Sequence, residues 1–434
     1  MNKLLFKWNE LKATFWFVPV LIIITAVLLS VGLVYLDGQI SFSKDGVSRF
    51  FFVKSSASAR SILSTISGAM IGVAGTVFSV TLVALTLASS QFGPRLIKNF
   101  MYVRLNQVVL GSYVSTYLYC LLVLNAIQDG GDYVFIPAIS ILVAILVAVA
   151  NIILLIVFIH QIAVSIQADK VISDISDFIT SQLATLFSEQ VGEETEDDDG
   201  TDRSAAVSGY IRQVSIKAPK SGYLQYIDNE TLLEIITQKN ALIELYYRPG
   251  GHVVKGLEIG VLYTNEDWDE AELLRIPGQF VIGKTKTSQQ DLEYSIQQMV
   301  EIAARALSPG VNDPYTAITC IDNLTAIMSY LAQAKFPSPY RFDEEENLRV
   351  IADAVDFRGV LDTAFNQIRQ FSAGNTAVII RLMEALTTID GFVRQEKYKA
   401  AIVRHAEMVL TVGRQTIKEK NDIQDLTDRS AAIL

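Results

Sequence analysis

Long uncharged apolar runs, broken by short polar stretches, occupy roughly the first 160 residues, and after Asp169 the pattern becomes that of a water-soluble protein. A helix needs about 20 apolar residues, at 1.5 Å each, to cross roughly 30 Å of hydrocarbon. Four segments meet that length: 15–36, 62–88, 107–127 and 133–159. The third is the least apolar, with Ser112, Ser115, Thr116 and Asn125. Only Asp129, Gly130, Gly131 and Asp132 separate it from the fourth, which predicts a tight helical hairpin. Aromatic residues such as Trp16, Tyr35 and Tyr133 stand at span ends, where interfacial belts form. Beyond the fourth span, Val171, Ile172, Ile175, Ile179, Leu183 and Leu186 keep a helical period, which predicts that the helix runs on past the membrane.

An acidic run at 193–199 has no apolar residue and reads as a solvated linker. Strand patterns follow. Ile211, Val214 and Ile216 precede a turn cluster, Ala218-Pro219-Lys220-Ser221-Gly222, and then Tyr223, Leu224 and Ile227. After a short helix-like piece, Ile243, Leu245 and Tyr247 alternate with polar partners, as do Leu257, Ile259 and Val261. The segments APKSGYL and PGGHVVKGLEIGVL resemble the barrel-sandwich hybrid of biotinyl and lipoyl carriers and of membrane-fusion adaptors. The carriers' lysine hairpin is missing from 227–241, so no swinging cofactor is implied. Beyond Gln290 the pattern is helical to the end, with Leu292, Ile296, Met299, Val300 and Ala303 on one face. The predicted fold class is therefore a membrane α-helical bundle of four transmembrane helices followed by an α+β region. Its parts are a four-helix transmembrane domain at 1–168, a helix extension and acidic linker at 169–205, a small β barrel-sandwich-like domain at 206–290 and a helical domain at 291–434.

Half of the residues are hydrophobic and 19% are charged, too greasy for an ordinary soluble protein. The net charge of −10 argues against a nucleic-acid surface, which needs clustered Lys and Arg. Cys120 and Cys320 have no CxxC neighbour, so neither a disulfide nor a metal site is expected, and no cofactor is implied. Lys3, Lys7, Lys12, Arg95, Lys98, Arg104 and Lys170 flank the spans on one side, against Lys44, Arg49, Lys54 and Arg60 on the other. Seven against four places both termini in the cytoplasm. Past Gly93-Pro94, Arg95, Lys98 and Asn99 oppose Leu96, Ile97, Phe100 and Met101, the pattern of an amphipathic elbow on the membrane surface.

The second span stands apart. Gly, Ala, Ser and Thr make up 17 of the 30 residues at 61–90, against 4 of 22 in the first span. Ser64, Gly68, Gly72 and Thr76 recur at four-residue spacing, with Gly75 and Ser79 alongside. Small residues in a stripe let another helix backbone approach closely. The plainer reading is packing within one subunit's bundle. The sharper one is a pore-lining or oligomer-forming helix, since glycine and hydroxyl groups also make a narrow wettable wall. The span holds no charge, so a charged selectivity ring within it is not expected.

The densest polar cluster is RALSPGVNDPYTA. Pro309 and Gly310 stop one helix, and Asp313 followed by Pro314 starts another as N-cap and first helical residue. Capping accounts for most of this segment. Arg305, Ser308, Asn312, Asp313 and Thr316 converging on one turn also fit a site for a small polar ligand or a partner loop.

This segment, together with SILSTISGAMIGVAGTVFSVTLVALTLASSQFGPRLIKNF and VIGKTKTSQQDLE, resembles a bacterial inner-membrane family filed as a domain of unknown function. The resemblance spans nearly the whole chain. It implies four spans and a cytoplasmic tail in the cell inner membrane, and it carries no activity. An enzyme is not expected: His160, His252 and His405 have no obvious Ser, Cys or acid partner, and there is no P-loop, GxGxxG or GxSxG. The expected function is a homo-oligomeric channel or conduit lined by the second span. The alternative is a non-conducting sensor or scaffold that binds a ligand or partner through its cytoplasmic domains.

Overall fold

The computed structural model describes residues 11–12, 14–39, 55–93, 104–130, 133–186 and 203–434. Lys3, Lys7, Lys44, Arg49, Lys54, Gly131, Asp132, the amphipathic stretch after Pro94 and the acidic run at 193–199 lie outside the described residues. The chain divides into two compact units, with the boundary between Gln167 and Ala168.

In the first unit, helices α1 (Phe17–Gln39), α2 (Ser56–Phe92), α3 (Arg104–Ala126) and α4 (Ala138–Ser165) are long and apolar enough to cross a bilayer. The α3–α4 connection is a small antiparallel hairpin of β1 (Gln128–Gly130) and β2 (Tyr133–Phe135), so the fourth helix starts later than its apolar run. Pro137 sets this start, because it pushes the preceding residue toward extended backbone.

The least apolar helix, α3, is the most buried and packs against the other three. At Gly111 a Cβ would lie 2.9 Å from Pro19 Cα and 3.0 Å from Ile22 Cδ1, so α1 and α3 meet backbone to backbone. Asn151, 1% exposed on α4, has every side-chain polar atom bonded. Its Oδ1 accepts from the Ser112 hydroxyl at 2.5 Å, and its Nδ2 donates to the Thr116 hydroxyl at 2.9 Å and to Met70 Sδ at 3.5 Å. An unmatched polar group in hydrocarbon costs several kcal/mol, so this amide specifies how α2, α3 and α4 fit together. Asp37, at the end of α1, caps α4 by accepting from the Ile139 amide (2.8 Å), the Ser140 amide (3.0 Å) and the Ser140 hydroxyl (2.7 Å).

The second unit opens with α5 (Ala168–Leu186). The apolar period past residue 165 is thus carried by a new helix after a break at Ile166 and Gln167, not by an extension of the fourth span. Asp169 in its first turn suits a helix start. Then come α6 (Arg203–Ser208), β3 (Arg212–Lys217), β4 (Gly222–Ile227), α7 (Asn229–Gln238), β5 (Leu242–Leu245), β6 (His252–Val253), β7 (Glu258–Thr264), α8 (Glu270–Arg275) and β8 (Phe280–Gly283). Helices α9 (Leu292–Ala306) and α10 (Pro314–Leu331) precede a hairpin, β9 (Tyr340–Phe342) and β10 (Leu348–Ile351). Helices α11 (Phe357–Phe371), α12 (Thr376–Asp390), α13 (Glu396–Thr416) and α14 (Lys420–Ser430) finish the chain.

The strands build two open sheets, ordered β3-β7-β5-β10-β9 and β6-β4-β8, in place of a barrel-sandwich. The two halves separate because β3 pairs with β7 whereas β4 pairs with β6 and β8. The first sheet also takes β9 and β10 from the stretch read as wholly helical, β10 lying parallel to β5 with Val350 opposite Ile243. All four residues of β5 are buried, as befits a strand covered on both faces. Ile216, Leu224, Leu232, Ile243 and Val350 share one core. The helical part follows its sequence signals: Asp291, Asp313, Asp356 and Asn375 each accept a backbone N–H three residues on, starting α9, α10, α11 and α12.

Candidate functional site

At about 100° per residue, Ser61, Ser64, Thr65, Gly68, Ala69, Gly72, Gly75, Thr76 and Ser79 fall within an arc of about 140° on α2. All nine are exposed in the single chain, and they extend over about 27 Å, close to the thickness of bilayer hydrocarbon. The opposite face, with Leu63, Met70, Ala74 and Val77, is buried against α3 and α4. A Cβ built at Gly68, Gly72 or Gly75 would meet nothing within 4 Å. Among the described residues, the small-residue stripe is not packed against the other helices of the chain's own bundle. Gly111 is where backbones actually meet. Along the stripe, the hydroxyls of Thr65 and Thr76 donate to the carbonyls of Ser61 (2.7 Å) and Gly72 (3.3 Å).

The second predicted cluster forms one turn between α9 and α10. Ser308 donates through its hydroxyl to the Arg305 carbonyl at 2.6 Å, closing α9. Asn312 sits at φ +51°, in the left-handed region that Asn tolerates, and its amide donates to the Ser308 carbonyl at 2.9 Å. Asp313 accepts from the Thr316 amide at 3.1 Å and the Thr316 hydroxyl at 2.6 Å. The Thr316 hydroxyl, aided by the amides of Thr316 and Tyr315, holds the Asp313 carboxyl below its usual range despite partial burial. Ser308, Asn312, Asp313 and Thr316 thus meet, and these bonds shape the turn itself. What the turn presents outward is Val311 and Tyr315, the latter 78% exposed.

A charged cluster that the sequence reading missed lies where the sheets meet α9. Arg248 donates from Nη2 to Glu293 Oε2 at 2.7 Å and from Nη1 to both Asp353 oxygens at 3.2 Å. Beside it Asp291, 5% exposed, caps α9 through Oδ1, which accepts from the Tyr294 amide at 2.8 Å. Its Oδ2 accepts no hydrogen bond and lies 3.9 Å from Lys286 Nζ. The carboxylate presses on Gly250, leaving no room there for a side chain, and the φ of +97° at Gly250 favours glycine independently. Burial raises the Asp291 carboxyl to about 6, against the pull of the Tyr294 amide, Lys286 and Arg248, with Glu293 adding to the rise. The signal in the sequence was the polar run ahead of Leu292, but only folding brings Arg248 and Gly250 to it.

The sign of this shift gives a pH prediction. A carboxyl with a raised folded-state value penalises the fold once ionised, so its contribution is fully present below the ordinary value of 3.8 and is lost as pH rises to about 6. Asp291→Asn keeps the cap and removes the charge. It is expected to stabilise the protein by about 1–3 kcal/mol at pH 8 and by little at pH 4. Melting curves at the two pH values check this, and an equal effect at both would contradict it.

His405 does find an acid partner: it is fully buried, with Nε2 2.8 Å from Asp362 Oδ1, and Arg404 contacts the same oxygen. Burial keeps its imidazole below the usual range, against the pull of Asp362. Sequence inspection missed this pair because Asp362 lies 43 residues away, on α11. Burial pushes the Cys320 thiol up, and the nearby Asp313 charge adds to this, so it is not a ready nucleophile.

Four apolar helices of spanning length followed by a mixed helical and sheet region define a multi-span membrane protein. The chain belongs to the family described as "Predicted membrane protein (DUF2254)", whose model matches residues 12–388. Among its relatives are the uncharacterized protein Rv1290c of Mycobacterium tuberculosis and the uncharacterized protein Mb1321c of Mycobacterium bovis. Each is 29% identical over 385 residues, covering 87% of this chain and 72% of the relative. No solved structure matches the chain significantly.

Proposed function

We propose that this protein is a homo-oligomeric conduit of the bacterial inner membrane, with both termini cytoplasmic, α2 of each copy against the shared axis, and the second unit as its regulator. The observation that carries the reading is the exposed arc of α2. Its nine positions from Ser61 to Ser79 are all Gly, Ala, Ser or Thr, and they face away from the rest of the chain's own bundle. Against lipid such a face loses the dispersion contacts that larger side chains make, whereas against α2 of a second copy it allows close backbone approach. The outward face of α4, with Leu146, Ile152, Ile153 and Ile156 exposed, has the bulk expected of a lipid-facing helix. Without charge on the arc, passage is governed by width and by hydroxyl and carbonyl groups, not by a charged ring.

Cysteine cross-linking in native membranes tests the assembly. Cys120 and Cys320 are buried and serve as a silent background. Gly72→Cys is expected to give covalent dimers, and Leu146→Cys is expected to give monomer only. Dimers from both or from neither would overturn the interface. Liposome efflux then tests conduction: a cross-linking protein that passes no solute would leave the sensor or scaffold alternative.

A further inference from the structure

We propose that the pocket between α7 and the β5–β10 strand pair binds a small apolar monocarboxylate, whose carboxylate takes the place of Asp353 on Arg248. The pocket holds about 140 Å³, close in volume to an engineered cavity of about 150 Å³ that binds benzene. Leu232 and Leu233 of α7, Leu245 of β5 and Val350 of β10 are among its lining residues, so its apolar part suits a ring or a short acyl chain. Arg248, Arg341 and Asp353 add charge to the lining. An apolar cavity with arginine beside it selects a molecule with one greasy end and one anionic end.

The resident counter-ion is loosely held. Arg248 Nη1 is 3.2 Å from each Asp353 oxygen, longer than the 2.7–2.9 Å usual for a charge-assisted bond. Asp353 is half-exposed, so returning it to water costs little. Arg248 Nη2 stays on Glu293 at 2.7 Å, which keeps the guanidinium in place while Asp353 leaves. A bound carboxylate takes the Arg248 Nη1 donor from Asp353, so the guanidinium keeps an anionic partner at each Nη. The proposal is independent of any conduction through the membrane unit.

The test is thermal unfolding of the full chain in detergent at pH 7 with sodium benzoate, sodium hexanoate, toluene, or sodium chloride at matched ionic strength. Benzoate and hexanoate are expected to raise Tm saturably, and sodium chloride is not. Asp353→Asn removes the competing carboxylate and is expected to lower the half-saturating benzoate concentration about three- to fivefold, the worth of an exposed ion pair. Arg248→Gln is expected to abolish the benzoate shift. Ala352→Leu, which fills the pocket from its wall, is expected to abolish both carboxylate shifts in a folded protein, so the test stands even if Arg248→Gln does not fold. No shift with either carboxylate, an equal shift with toluene, or a benzoate shift that survives Ala352→Leu would each overturn the proposal.

Discussion

Gly111→Leu is expected to abolish folding of the membrane unit, while Gly68→Leu leaves the folded monomer intact. At Gly111 even a Cβ would sit 2.9 Å from the Pro19 backbone and 3.0 Å from Ile22. Inserting single methylenes into a packed core already costs about 1–3 kcal/mol, and leucine adds three more carbons at a site where two backbones touch. Helices α1 and α3 must then separate, and the Asp37 cap on α4 is put at risk with them. At Gly68 a Cβ meets nothing within 4 Å, so the single chain accommodates the leucine. Fluorescence-detected size exclusion with a thermal melt reads both variants. Gly111→Leu should aggregate or fail to accumulate, and Gly68→Leu should keep its melting temperature as a monomer while losing any oligomer. Collapse of the Gly68→Leu monomer would show that the outer face of α2 had been assigned wrongly.

Arg349→Ala is expected to cost about 3–5 kcal/mol, the usual penalty for leaving a buried charge without its partner. Arg349 Nε donates to Asp343 Oδ2 at 2.6 Å, and both side chains are almost fully buried. Arg349 Nη1 donates onward to Asn240 Oδ1 at 2.6 Å, so this one guanidinium fastens the β9–β10 hairpin to the corner between α7 and β5. Burial would raise the Asp343 carboxyl, but Arg349 and the Asn347 amide hold it below the usual range. In urea titrations Arg349→Ala should lose most of this stability. Combining Arg349→Met with Asp343→Asn should recover part of it, because the orphaned charge is then gone. A loss below about 1 kcal/mol for Arg349→Ala would mean that the hairpin is held by apolar contacts alone.

What the sequence settled by itself were features written in short stretches of chain. The four apolar runs are long enough to span a bilayer, and Asp313 followed by Pro314 announces a helix start because a cap bonds within three residues of itself. What depended on partners far along the chain was decided only by the tertiary structure. Glycine reads the same in sequence whether it faces a neighbouring backbone or open space, so nothing local distinguished Gly111 from Gly72. Strand β10 carries four residues too few to show a period, and it becomes a strand by lying against β5, about a hundred residues earlier. The same holds for Asp291 beside Gly250 and for His405 beside Asp362. A carboxylate's chemistry is set by desolvation and by neighbouring charges, and both come from residues that folding, not sequence order, brings near.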